Sequence, residues 1–236
     1  MRLGEARTPD GMRIYAIGDV HGCDAKLADM HERIAADLAE RPVAERRIIH
    51  VGDYVDRGPD SAGVIRRLQR MIVADPGVIC LRGNHDQMLL DFLADPEAGA
   101  SMFLGNGGKQ TLRSFGVNLR SQNYAALARQ LAEAMAPADR SFMEHLRLTV
   151  RFGDYLFVHA GIRPGVSLEE QDEHDLIWIR EEFLTDTRDH GFVVVHGHTP
   201  ADEPEVRDNR INVDTGAVFG GPLTCVVLEG TSYRIL

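Results

Sequence analysis

The chain has 236 residues, 44% of them hydrophobic and 26% charged, with a formal net charge of −10. Length and composition suit a globular protein of one or two domains with a sizeable core, and they exclude disorder along the whole chain. The acidic balance excludes the basic surface of a general nucleic-acid binder or a polybasic membrane protein.

The opening segment, MRLGEARTPDGMR, carries acidic residues and a proline and has no apolar centre, so no signal peptide is read there. No apolar run approaches the ~20 residues of a membrane helix. Residues 13–18, RIYAIG, read as a buried strand. Leu27, Met30, Ile34 and Leu38 recur at helical spacing and predict a helix over 24–40, stopped by Pro42. RIIHV at 47–51 is a second strand, and the polar loop DYVDRGPD follows it. Asp60 and Ser61 open a helix carrying Val64, Ile65, Leu68 and Ile72, and GVICLR at 77–82 is a third strand. This β-α-β-α-β order predicts parallel strands with helices on the sheet faces.

Residues 86–95, 109–115, 122–135 and 138–147 read as helices, punctuated by Gly105, Gly107 and Gly108. They form a mostly helical insertion, 86–147. LRLTVRFG and YLFVHAG read as strands joined by a turn at Gly153-Asp154, and 173–184 as a helix around Trp178. Further strands are expected at FVVVHG (192–197), near RINVDTG (210–216), and at LTCVVLEG and SYRIL. No linker divides the chain, so 1–236 reads as one domain. Cys23, Cys80 and Cys225 form no CxxC pair and read as reduced thiols of a cytoplasmic protein.

Several expected strands end in glycine followed by metal-competent side chains: GDVHG (18–22), GDYVDRG (52–58), GNHD (83–86), HAG (159–161) and GHT (197–199). In an open α/β sheet, ligand sites form outside the carboxyl ends of the strands, so such residues converge on one rim. Aspartate, asparagine and histidine offer oxygen and imidazole nitrogen without thiolate, which suits Mn²⁺, Fe or Zn²⁺. The donors are too many for one four-coordinate ion and fit two ions sharing a carboxylate, an arrangement suited to displacement at phosphorus. Any one motif alone is weak, and it is the ordered set that carries the inference. His31, His145, His174 and His190 lie in helical or polar contexts and read as solvated or satisfied, and His50 as core or sheet surface. Cys23 follows the first motif, but no arginine-rich loop closes on it, which argues against a cysteine nucleophile.

This ordered set resembles the calcineurin-like metallophosphoesterases, and within them the phosphoprotein phosphatases of the bacterial and bacteriophage-lambda type. The stretches LIWIREEF (176–183) and DTGAVFGGPLT (214–224) are similar to that subgroup too. The resemblance implies a four-layer α/β/β/α sandwich with two mixed sheets. It implies Asp19 and His21 on a first metal, Asp53 bridging, and Asn84, His159 and His198 on a second. His85 would assist the leaving group, oriented by Asp56, while Arg57 and Arg180 would bind phosphate. Asp86 would either support the ligands from behind or be structural. Two divalent ions are implied as cofactors, manganese first, with iron or zinc as alternatives.

The expected substrate is a phosphoprotein or small phosphoester, with phosphoserine and phosphothreonine first and some phosphotyrosine activity. The alternative is hydrolysis of dinucleoside polyphosphates such as diadenosine tetraphosphate, an activity of relatives sharing the Gly-Asp-x-x-Gly-Cys opening. The aspartate at position 56 favours the first reading. A non-catalytic scaffold is disfavoured because every implied ligand is present. Neither a nucleic-acid nor a membrane partner is expected.

Overall fold

The computed structural model describes residues 1–121 and 123–236. In chain order it runs β1 (Met12–Ile17), α1 (Asp24–Glu40), β2 (Glu45–His50), α2 (Ser61–Ala74) and β3 (Val78–Cys80). Helices α3 (Asn84–Ala94), α4 (Pro96–Gly105), α5 (Gly108–Ser114), α6 (Tyr124–Ala134) and α7 (Pro137–Glu144) follow. Then come β4 (Thr149–Phe152), β5 (Tyr155–Val158), α8 (Glu173–Trp178), α9 (Glu181–Leu184), β6 (Val193–His196), β7 (Glu205–Val206), β8 (Arg210–Asn212), β9 (Cys225–Glu229) and β10 (Ser232–Ile235). Gln122, first residue of the helix expected over 122–135, lies outside the described residues.

The strands form two five-stranded sheets, β10-β9-β1-β2-β3 and β4-β5-β6-β8-β7. In the first, β1, β2 and β3 are parallel while β9 and β10 run antiparallel. In the second, β5, β6 and β8 are parallel and β4 and β7 antiparallel. Both sheets are therefore mixed, as the resemblance implied.

Side-chain alternation explains the layering. β1 is buried along its whole length. Ile14 and Ala16 join a cluster with Phe157, Val195 and Ile211, which fills the space between the two sheets. Tyr15 and Ile17 point the other way, into a cluster with Leu27 and Ile34 of α1 and Val64 and Leu68 of α2. On the outer face of the second sheet, Leu156 and Val194 pack against Ile177 and Phe183 from α8 and α9. The layers thus run helix, sheet, sheet, helix.

Helix α1 spans the expected residues, and Asp60 caps α2 by accepting the Gly63 N–H at 2.8 Å. Two differences from expectation have local causes. α4 was not expected, because its sequence PEAGASMFLG shows no apolar period. It starts at Pro96 behind Asp95, whose side chain accepts the Ala98 N–H. The helix expected over 173–184 is broken in two, with Arg180 at φ −133°, ψ −102° between α8 and α9.

Candidate active site

The motif residues follow the carboxyl ends of β1, β2, β3, β5 and β6, so the two sheets deliver them to one rim. The local backbone there is unusual. Among the described residues, the non-glycine residues with positive φ are His21 (43°), Asp53 (55°), Asp56 (72°), Arg57 (66°) and His198 (67°). Such conformations cost roughly 1–2 kcal/mol each and persist only where the surroundings hold them. All five belong to the residues singled out from the sequence.

Asp53 is the centre. Its Oδ2 lies 3.4 Å from His21 Nε2 and its Oδ1 lies 3.4 Å from His159 Nε2. Two groups of candidate ligand atoms gather around it, His21–Asp53–His85 and Asp53–His159–His198, with atoms within 4.8 Å of one another in each. Asp53 belongs to both groups, the position in which a bridging carboxylate was expected. His85 stands in the first group where Asp19 was expected. The Asp19 carboxylate instead accepts the His198 backbone N–H, at 3.1 Å to Oδ2. Asn84 Oδ1 lies 2.9 Å from His198 Nδ1 and 3.1 Å from His159 Nε2, which places it with the second group.

Tautomers show what this arrangement needs. His21 Nδ1 faces the Val55 carbonyl at 2.8 Å and His159 Nδ1 faces the Val51 carbonyl at 3.1 Å. A carbonyl only accepts, so each Nδ1 carries the proton and each Nε2 presents a lone pair. Burial, the largest effect, lowers both pKa values, to about 3 for His159, so both rings are neutral. His159 Nε2 and Asn84 Oδ1 then meet as two acceptors with no hydrogen between them, and His198 Nε2 is buried without a partner. Burial also raises Asp19 and Asp53. A buried set of lone pairs and carboxylates of this kind fits cations. Arg57 stands directly against it, its Nη1 donating to His21 Nε2 at 2.7 Å.

Arg57 and Arg180 both face the cluster. Both positive charges lower His85 and His159, and both act on Asp53. Arg180 reaches it from the break between α8 and α9 and donates to Thr199 Oγ1 at 3.2 Å. His85 is the second residue of α3, and its Nδ1 lies 2.7 Å from Asp56 Oδ2, with both side chains buried. Burial drives Asp56 up and His85 down to about 4. Both shifts favour the uncharged form of each partner.

Sequence reasoning left the partners of several contributors undefined. Asp86 accepts the backbone N–H groups of Gly83, Asp53 and Tyr54 at 2.8–2.9 Å, which gives its expected structural role a definite form. Asp214, quoted only within the DTG stretch, is pushed up to about 6 by burial and by the Asp53 charge. Phe219 is 67% exposed, with the Arg57 guanidinium 5.5 Å from its ring centre. Lys26 Nζ holds the loop that carries Phe219 by donating to the carbonyls of Ala217 and Gly221. His31 and His50, read separately from the sequence, form a pair, with their Nε2 atoms 3.0 Å apart.

With this geometry in view, the family comparisons agree. The calcineurin-like phosphoesterase family model matches residues 12–224. Serine/threonine-protein phosphatase 1 of Salmonella typhimurium is 30% identical over 224 residues, covering 92% of each chain. A bis(5'-nucleosyl)-tetraphosphatase, PrpE [asymmetrical], of Oceanobacillus iheyensis is 29% identical over 233 residues, covering 90% of this chain and 87% of that one. A crystal structure of a proposed diadenosine tetraphosphatase superposes with a TM-score of 0.67 at 23% identity, over 98% of this chain and 97% of that one, which shows the shared fold. A matched family model spanning the rim from β1 to the loop before β9, on a fold that brings those motifs together, makes this chain a member of the calcineurin-like phosphoesterases.

Proposed function

We propose that this protein is a cytoplasmic, metal-dependent serine/threonine protein phosphatase that cleaves phosphomonoesters in one in-line step. The observation that carries this reading is the buried His85–Asp56 pair beside the Asp53 cluster. An alkoxide of serine or threonine is a poor leaving group, so a positioned proton donor is worth most for these esters. His85 gives its proton from Nε2 to the departing oxygen, while Asp56 fixes the ring through Nδ1. Arg57 and Arg180 offer guanidinium donors to the non-bridging phosphoryl oxygens.

Asp19, His21, Asp53, Asn84, His159 and His198 would hold two divalent ions, manganese first and iron or zinc as alternatives, in keeping with an oxygen-and-nitrogen donor set. When bound, such ions neutralise phosphoryl charge and acidify the attacking water. The anionic substrate is thus met locally in spite of the net charge of −10. That overall charge supports a phosphoprotein or small phosphoester partner rather than nucleic acid or a membrane surface. Among the described residues no helix is long and apolar enough to cross a membrane.

The second reading, hydrolysis of dinucleoside tetraphosphates, is favoured by the relative named a tetraphosphatase at 29% identity. One assay separates the two. A phosphoserine peptide and diadenosine tetraphosphate are offered at equal enzyme concentration with Mn²⁺, and with chelator as control. Faster turnover of the peptide supports the first reading. A kcat/KM for the dinucleotide about tenfold higher or more, equivalent to ~1.4 kcal/mol in the barrier, supports the second.

A further inference from the structure

Helix α5 lies in the helical stretch between β3 and β4, yet its buried face closes on the loop that follows β2. Thr111 Oγ1 donates to Asp56 Oδ1 at 2.7 Å and accepts the Asp56 backbone N–H at 2.9 Å. Ser61 Oγ stands 3.1 Å from Thr111 Oγ1 and lies 3.2 Å from the same Asp56 nitrogen. Asp56, Ser61 and Thr111 are all fully buried. The threonine hydroxyl has one proton and two lone pairs, and these contacts use all three.

The same segment touches the residues on either side of this network. The Gly107 carbonyl accepts the Arg57 N–H at 3.2 Å, and Ser114 Oγ accepts the Ala62 N–H at 3.1 Å. A Cβ at Gly107, whose φ is +108°, would stand 2.7 Å from the Arg57 nitrogen, so the close approach requires glycine. Asp56 and Arg57 both hold left-handed backbone conformations that a side chain disfavours, and Gly107–Ser114 supplies partners that keep them there.

One oxygen of Asp56 faces His85 and the other faces Thr111. Without the second contact the carboxylate is free to turn about its Cβ–Cγ bond, and the imidazole loses its fixed acceptor. We propose that Thr111 is a positioning residue for the leaving-group acid, so that the helical insertion is part of the proton-delivery apparatus. The inference rests on the reading of His85 given above. The step served is transfer of the proton from His85 Nε2 to the ester oxygen as the P–O bond breaks. The electron pair of that bond stays on the oxygen, and the imidazole remains bonded through Nδ1 to Asp56.

The test uses the full-length enzyme with saturating Mn²⁺ and two small esters, glycerol 2-phosphate and phenyl phosphate. The alkyl ester needs protonation of its leaving group far more than the aryl ester does. In Thr111→Val the ratio of alkyl to aryl kcat falls about tenfold, while each KM and the bound-metal content stay within about twofold of wild type. Thr111→Ala, which introduces no misplaced bulk, gives the same fall, and Thr111→Ser restores the ratio to within about threefold. Equal slowing of both esters, no slowing, or no rescue by serine overturns the proposal. His85→Asn is measured alongside. A changed ratio in His85→Asn with none in Thr111→Val removes the role of Thr111 alone. An unchanged ratio in His85→Asn removes the reading of His85 itself, and the role of Thr111 falls with it.

Discussion

Asp86 Oδ2 accepts the backbone N–H of Asp53 at 2.9 Å, so the last residue of GNHD fixes the main chain of the residue at the centre of the candidate metal site. The same oxygen takes Gly83 N–H at 2.8 Å, and Oδ1 takes Tyr54 N–H at 2.9 Å. Asp86→Ala leaves all three buried donors without this acceptor. Each such loss costs roughly 1–3 kcal/mol, so urea denaturation should show a destabilisation of about 3 kcal/mol or more. A change below about 1 kcal/mol would mean that water replaces the carboxylate and that Asp86 is not a structural clamp.

Asp53 contributes one oxygen toward His21 and the other toward His159. Asp53→Asn keeps the shape and removes the charge from both groups together. Titration with Mn²⁺ should show both binding events weakened, with an affinity loss on the order of tenfold to a hundredfold, and activity at limiting metal should collapse. Loss of one event alone would place Asp53 on a single ion. Retention of near-wild-type activity at limiting metal would remove it from the ligand set.

Arg57 rests on a ring that the fold presents to solvent. Phe219→Ala removes the surface that supports the guanidinium at 5.5 Å, a contact worth roughly 0.5–1 kcal/mol at an exposed site. The expected result is a KM for phenyl phosphate raised about twofold to fivefold with kcat nearly constant, because Arg57 is proposed to bind phosphate rather than to transfer a proton. A fall in kcat at constant KM would show that Phe219 acts on the chemical step instead.

Motifs and periodicity reached different depths in this chain. The strand-end residues from Asp19 to His198 were legible because glycine punctuation and donor chemistry lie side by side in sequence. α1 was legible because Leu27, Met30 and Ile34 recur every three to four residues on one buried face. α4 was not, because its small residues give no period, and its start depends on the Asp95 side chain meeting the Ala98 N–H. The break at Arg180 was equally hidden, since 173–184 has an unbroken helical appearance as a string. Thr111 carries no motif at all. Its contact with Asp56 spans 55 residues of chain and exists only after α5 packs against the loop beyond β2. The pairing of His31 with His50 is invisible for the same reason, because it joins α1 to β2.

That histidine pair predicts a pH dependence of stability away from the candidate metal site. Burial, the largest effect, lowers His31 from 6.5 to about 4, and burial with the neighbouring His31 lowers His50 well below its ordinary value. In the folded protein both rings are neutral above the depressed values, whereas in the unfolded chain each gains a proton as the pH falls below about 6.5. The unfolded state therefore binds more protons between about pH 6.5 and 4, and folding stability falls as the solution is acidified through that window. One proton difference corresponds to about 1.4 kcal/mol per pH unit. Urea denaturation of wild type and His31→Gln at pH 7.5, 6.5 and 5.5 isolates this contribution, since other buried histidines are common to both. The wild type should lose more stability than the variant between pH 6.5 and 5.5, by about 1 kcal/mol. Parallel stability curves for the two proteins would show that His31 accepts its proton in the folded state as readily as in the unfolded chain.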